Sequence, residues 1–125
     1  MQIRIYYEDT DCGNVVYYAN YLKYMERSRT EYIRERGINL AEYQNSGIMF
    51  AVVEANIKYR ASARYNDIID VDSSIKEISS AFIEFTTEIS RDGQLLVKGD
   101  VKLACVNANG RASRIPEEVK NALRS

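Results

Sequence analysis

The sequence predicts an α+β domain in two layers, with an antiparallel five-stranded sheet curled around one long helix. Three observations predict it. The chain has 125 residues, enough for a single domain over 1–125 with a core of its own. Apolar residues recur at spacings of three and four over 18–36, which is the helical period. The stretches before and after that segment alternate with a period of two, as half-buried strands do.

The first strand is expected over 2–8, with Ile3, Ile5 and Tyr7 on its buried side. Residues 9–17 break the alternation with Asp, Thr, Gly and Asn and read as a loop. The helix over 18–36 then carries Tyr18, Tyr21, Leu22, Met25, Tyr32 and Ile33 on one stripe. Ser28 falls within that stripe and is small enough to permit close approach to a sheet. Gly37 is a C-terminal stop, and Asn39 caps a short helix over 40–45.

The second half reads as β. A strand over 48–59 is expected to line up Met49, Ala51, Val53, Ala55, Ile57 and Tyr59 on one face. A polar connector, 60–67, leads to a strand over 68–77 with Ile69, Val71 and Ile75 in phase. Ala81, Ile83, Phe85, Thr87 and Ile89 alternate in the next strand, and Asp92-Gly93 is a hairpin signal. Leu95 to Cys105 alternate in the last strand. Pro116 opens a terminal helix over 116–125 at the position where proline is tolerated. Short connections predict an antiparallel meander for the strands from 48 onward.

Composition excludes several function classes. The chain has no histidine, which removes Ser-His-Asp and Cys-His catalysis and histidine metal sites. Its net charge of −1 lacks the basic excess of a dedicated nucleic-acid binder, so no nucleic-acid partner is expected. No apolar run approaches the length of a membrane span. Cys12 and Cys105 form no CxxC or disulfide framework and suit a reducing, cytoplasmic compartment. Ten of the 13 aromatic residues are tyrosine, a residue suited to half-buried sites and subunit interfaces.

The densest cluster of reactive groups is Glu8, Asp9 and Asp11, just before the long helix. A carboxylate beside a helix N-terminus faces backbone N–H groups without partners and a partial positive charge. The same N–H groups can stabilise an oxyanion. Together they make a minimal acyl-transfer site that needs no histidine. Helix caps and solvated turns use the same residue types. A carboxylate-bound metal is a further reading, although no EF-hand or phosphate-loop pattern accompanies the cluster.

The stretch from Tyr7 to Tyr21, followed by Tyr24, Glu26 and Arg27, resembles the signature of hotdog-fold acyl-CoA thioesterases. These are the 4-hydroxybenzoyl-CoA thioesterase type and the relatives associated with the Tol-Pal cluster. The resemblance extends to the element order and to Arg114-Ile115-Pro116-Glu117-Glu118, and so spans essentially the whole chain. It implies Asp-dependent cleavage of acyl-CoA to free acid and CoA. Asp11 would be the nucleophile or general base, and the amide at Tyr18 would polarise the thioester carbonyl. It also implies a homo-oligomer, a dimer or homotetramer with sheets joined side by side. No metal or separate cofactor is implied, since CoA is part of the substrate. Tol-Pal-associated relatives carry His where this chain has Tyr18, whereas the 4-hydroxybenzoyl-CoA type carries Tyr. The alternative is a non-catalytic module that binds acyl-CoA or acyl carrier protein.

Lys58, Arg60, Arg64 and Arg114 are the candidates for holding the CoA phosphates, with Arg91, Lys98 and Arg111 behind them. Cys12 adjoins Asp11 but has no basic partner in sequence, so it reads as a small structural residue; Cys105 reads as packing. Glu26 reads as a solvated or ion-paired helix residue.

Overall fold

The computed structural model describes residues 1–124. Its elements are β1 (Gln2–Arg4), a single 3₁₀ turn (Tyr7–Asp9), α1 (Asn20–Glu35), α2 (Leu40–Asn45), β2 (Met49–Tyr59), β3 (Ile68–Ile78), β4 (Phe82–Arg91), β5 (Gln94–Val106) and α3 (Glu117–Arg124). Ser125, included in the expected terminal helix, lies outside the described residues. Among the described residues, no helix is long and apolar enough to cross a membrane.

All five strands form one antiparallel sheet in the order β1-β3-β4-β5-β2. The meander therefore holds only for β3-β4-β5. β2 pairs with β5 rather than with β3, and so forms the far edge. Reaching β3 from β2 means crossing three strand spacings, about 14 Å. Residues 60–67 can span about 26 Å when extended, so the connector is long enough. It runs across the end of the sheet, where the N–H groups of Arg60 and Ala61 donate to the Leu96 carbonyl. Ala63 within it is fully buried.

The β4–β5 hairpin turns at Asp92 and Gly93, at φ 53° and 80°, as the Asp-Gly signal requires. Ile83, Phe85, Thr87 and Ile89 of β4 are buried together with Val97, Val101, Leu103 and Cys105 of β5. The expected phase of β2 fails halfway. An irregularity between Val52 and Glu54 inserts Val53, so Phe50 and Val52 share a face with Ala55, Ile57 and Tyr59. Met49 and Ala51 are thereby turned to the opposite face. Most of β2 is exposed, because α1 packs chiefly on β3 and leaves the far edge of the sheet largely uncovered.

α1 packs against one face of the sheet, chiefly on β3. It buries Tyr21, Tyr24, Met25, Ser28, Arg29 and Ile33. Ser28 permits the close approach expected of it: its Oγ lies 3.1 Å from the Val71 carbonyl oxygen and 2.8 Å from Ser73 Oγ. Ser73 Oγ continues to Thr87 Oγ1 at 2.9 Å, which gives a polar ladder under the helix. Gly99 makes room for Met25, since a Cβ there would stand 2.7 Å from Met25 Cε. The core divides in two. One part lies under the first half of α1, around Ile5, Tyr24, Met25 and Val97. The other lies under its second half and is closed by Val119 and Leu123 of α3.

Candidate active site

The first strand is shorter than expected, and this shapes the site. Ile5 is buried, but the chain then turns, and Tyr7 is exposed rather than in the core. Asp9 organises the turn: its Oδ2 accepts the Tyr6 N–H at 2.8 Å. Residues 10–16 then form a small hairpin closed by a bridge between Thr10 and Val16. The Asp11 N–H donates to the Val15 carbonyl at 2.9 Å, and the Asn14 N–H donates to the Asp11 carbonyl at 3.1 Å. Asn14, at φ 62°, supplies the left-handed conformation of the turn. The Gly13 N–H donates to Asp11 Oδ1 at 2.8 Å. Among the described residues Asp11 Oδ2 has no partner, and the side chain is exposed.

The helix begins two residues later than the periodicity predicts. Asn20 N–H donates to the Tyr17 carbonyl, and Ala19 is the N-cap without a side-chain cap. Tyr18 therefore precedes the first turn and is exposed rather than on the buried stripe. Among the described residues its N–H donates to no acceptor. α1 has no acidic residue in its first turn, so nothing there neutralises the positive end of the helix. Asn20 uses its side chain otherwise: Nδ2 donates to the Asp9 carbonyl at 2.9 Å, which also accepts the Tyr17 N–H at 3.0 Å. This double acceptor joins the start of the Asp11 hairpin to the start of α1.

Tyrosine rings line the approach. Tyr17 and Tyr18 have centroids 4.9 Å apart, and Tyr18 meets Tyr59 at 6.3 Å. Tyr59 contacts Tyr21 at 5.7 Å, and Tyr21 meets Tyr24 at 6.1 Å. The rings thus run from the surface into the core. The Tyr59 hydroxyl donates to the Tyr18 carbonyl at 3.3 Å, and Tyr21 Oη accepts the Ala63 N–H at 2.9 Å. Burial and the neighbouring Asp9 carboxylate hold the Tyr24 hydroxyl neutral, well above the usual phenol range. Sequence reasoning missed Asn20, placed Asp9 in the acidic cluster without its role in the turn, and read Tyr59 only as a face residue of β2. The repeated tyrosines hinted at an aromatic site without saying which rings meet.

The basic candidates divide by position. Arg64 stands beside the hairpin, its backbone bridged to Val15. Lys58 and Arg60 share a recess of about 220 Å³ with Asn56, Lys98 and Asp100 at the start of the connector. Arg114 is not brought to them within one protomer. Its carbonyl accepts from Cys105 Sγ, whereas Tyr59 is paired with Val97, eight residues or about 26 Å away along β5. Arg91 is committed to Asp67 at 2.6 Å. Burial pulls the Asp67 carboxyl upward, but the Arg64 N–H and the Arg91 guanidinium outweigh it and hold the group below the ordinary range. Glu26 accepts the Thr30 hydroxyl at 2.9 Å, with no ion pair to Arg27 or Arg29. Cys12 is an exposed thiol and Cys105 a buried one, raised by burial.

Comparison with known proteins follows the same lines. The model of the thioesterase-like superfamily matches residues 6–123. The chain is 39% identical over 124 residues to the acyl-CoA thioesterase YbgC of Haemophilus influenzae, covering 96% of this chain and 90% of that one. It is 33% identical over 106 residues to the acyl-CoA thioester hydrolase YbgC of Escherichia coli, covering 84% and 79%. The crystal structure of a DHNA-CoA thioesterase from Staphylococcus aureus superposes with a TM-score of 0.93 at 25% identity, covering 98% of this chain and 85% of that one.

Proposed function

The chain belongs to the thioesterase-like superfamily, and from that premise we propose that it is an acyl-CoA thioester hydrolase in which Asp11 carries the attack. It cleaves R–CO–S–CoA to the free acid and CoA. The observation that carries this reading is the pair of groups left open at the head of α1. Asp11 has one oxygen fixed by Gly13 and the other free, and the Tyr18 N–H has no acceptor among the described residues. Asp11 attacks the carbonyl carbon, or deprotonates the water that does. The negative charge that develops on the carbonyl oxygen is met by the Tyr18 N–H and the positive end of α1. The thiolate of CoA then leaves and is protonated; on the water route the acid is released directly, and on the nucleophile route water hydrolyses the acyl–Asp11 anhydride to the free acid and restores the carboxylate. This account uses the backbone at position 18, so tyrosine serves as well as histidine.

Arg64, next to the hairpin, Arg60 at the start of the same connector and Lys58 at the end of β2 are assigned to the CoA phosphates. Arg114 would reach substrate only from a neighbouring subunit. The exposed edge β2, with Val52 at 54% and Val53 at 59%, supports a dimer in which two copies pair these strands. A homotetramer would join two such dimers. The free thiols of Cys12 and Cys105 accord with a cytoplasmic protein.

The test is thioester hydrolysis across short-chain, long-chain and aromatic acyl-CoAs, read as freed thiol, with Asp11→Asn alongside. Removing the attacking group should lower kcat by at least about a hundredfold and leave the unfolding transition in place. Undiminished turnover by the variant would sink the mechanism.

A further inference from the structure

The connector 60–67 ends in a cleft that the reaction above leaves unused. The cleft is about 510 Å³ in volume and is lined by Arg4, Ile5, Tyr6, Tyr7, Tyr65 and Asn66. Tyr7 and Tyr65 meet edge to face, with centroids 5.9 Å apart. They are 72% and 55% exposed, so core packing does not account for them. One exposed apolar side chain needs no explanation, but three aromatic rings around a single concavity do. Their polar neighbours are specific. Arg4 Nη1 donates to the Asn66 carbonyl at 2.7 Å and stands 3.4 Å from Asn66 Oδ1. Among the described residues the other guanidinium nitrogens of Arg4, and Nδ2 of Asn66, have no partner. No acidic side chain lines the cleft.

The cleft is tied to the Asp11 hairpin on both walls. The Thr10 hydroxyl donates to the Tyr7 carbonyl at 2.7 Å, and Arg64, next to Tyr65, is bridged to Val15. Aromatic faces stack on a base whatever its edge presents. A carboxamide matches the donor and acceptor pattern of adenine. Guanidinium groups match phosphate oxygens. An acyl chain would need neither the amide nor the guanidinium.

We propose that this cleft binds the adenine nucleotide end of the CoA thioester, with Tyr7 and Tyr65 stacking on the purine and Asn66 pairing with its edge. The proposal rests on the thioesterase reading. It also gives the enzyme a reason to favour CoA over a carrier protein, which presents the same pantetheine thioester without a base.

The experiment compares kcat/KM for an acyl-CoA with that for the N-acetylcysteamine thioester of the same acid. It is run on the wild type, Tyr7→Ala, Tyr65→Ala and Tyr65→Phe. Loss of one stacking ring is expected to raise KM for the CoA ester about tenfold. The preference for the CoA ester over the truncated one should fall by the same factor, and Tyr65→Phe should restore it. An equal loss on both esters, or none on the CoA ester, overturns the proposal. So does a lower oligomeric mass for Tyr65→Ala, which would reassign the rings to a subunit contact. If the wild type hydrolyses neither ester, the thioesterase reading itself falls and takes this proposal with it.

Discussion

Gly99→Ala adds one methyl group where Met25 of α1 packs onto β5. The new Cβ would sit 2.7 Å from Met25 Cε, 2.9 Å from Met25 Sδ and 3.4 Å from Ile57 Cγ1. Carbon atoms pack at about 3.5–4.0 Å, so the shortfall against Met25 is about 1 Å. Met25 is flexible, but it is completely buried, and its thioether has no solvent to retreat into. Overpacking of this kind costs about 1–3 kcal/mol. For a chain of this length, that corresponds to a fall in Tm of about 4–12 °C. Met25→Ala alone leaves a cavity and costs about 2–5 kcal/mol. In the double variant the new methyl group fills part of that cavity, so the two losses should add to about 1–3 kcal/mol less than their sum. Urea denaturation of all four proteins measures the cycle. Strict additivity, or a Gly99→Ala protein as stable as the wild type, would refute the packing argument.

Three further outcomes follow from particular bonds. Asn20→Ala removes the donor to the Asp9 carbonyl that joins the hairpin to α1; kcat should fall about tenfold with KM nearly unchanged in steady-state kinetics, as expected of a group that positions others. Ser28→Ala breaks the ladder to Ser73 and the Val71 carbonyl, and should lower stability by about 1–2 kcal/mol in chemical denaturation. Asp67→Asn removes a carboxylate whose folded pKa lies below its ordinary value of 3.8. The wild-type advantage over this variant should be full at neutral pH, decline as pH falls below about 4, and vanish once the folded carboxylate is protonated. Stability profiles of the two proteins that stay parallel to pH 2 would contradict it.

Local chemistry determined much of this protein. The helical period of α1, the Asn39 cap of α2, the Asp92-Gly93 turn and the alternation in β4 and β5 all depend on neighbouring residues, and all were legible in the chain. The Asp11 motif was legible because its turn is built from consecutive side chains. Tertiary structure decided what depends on distant partners. β2 paired with β5 because the connector crosses the sheet end, held there by Leu96 and Tyr21. The irregularity at Val53 arose from that pairing and reversed half the predicted face. Tyr7 and Tyr18 fit a period yet lie outside, because the chain turns after Ile5 and α1 starts at Asn20. The basic residues were scattered in sequence, and only the path of the connector set Arg64 beside the hairpin and left Arg114 at the other end of β5. Periodicity says which side chains can share a face. Which faces meet is settled only when strands far apart in sequence choose their partners.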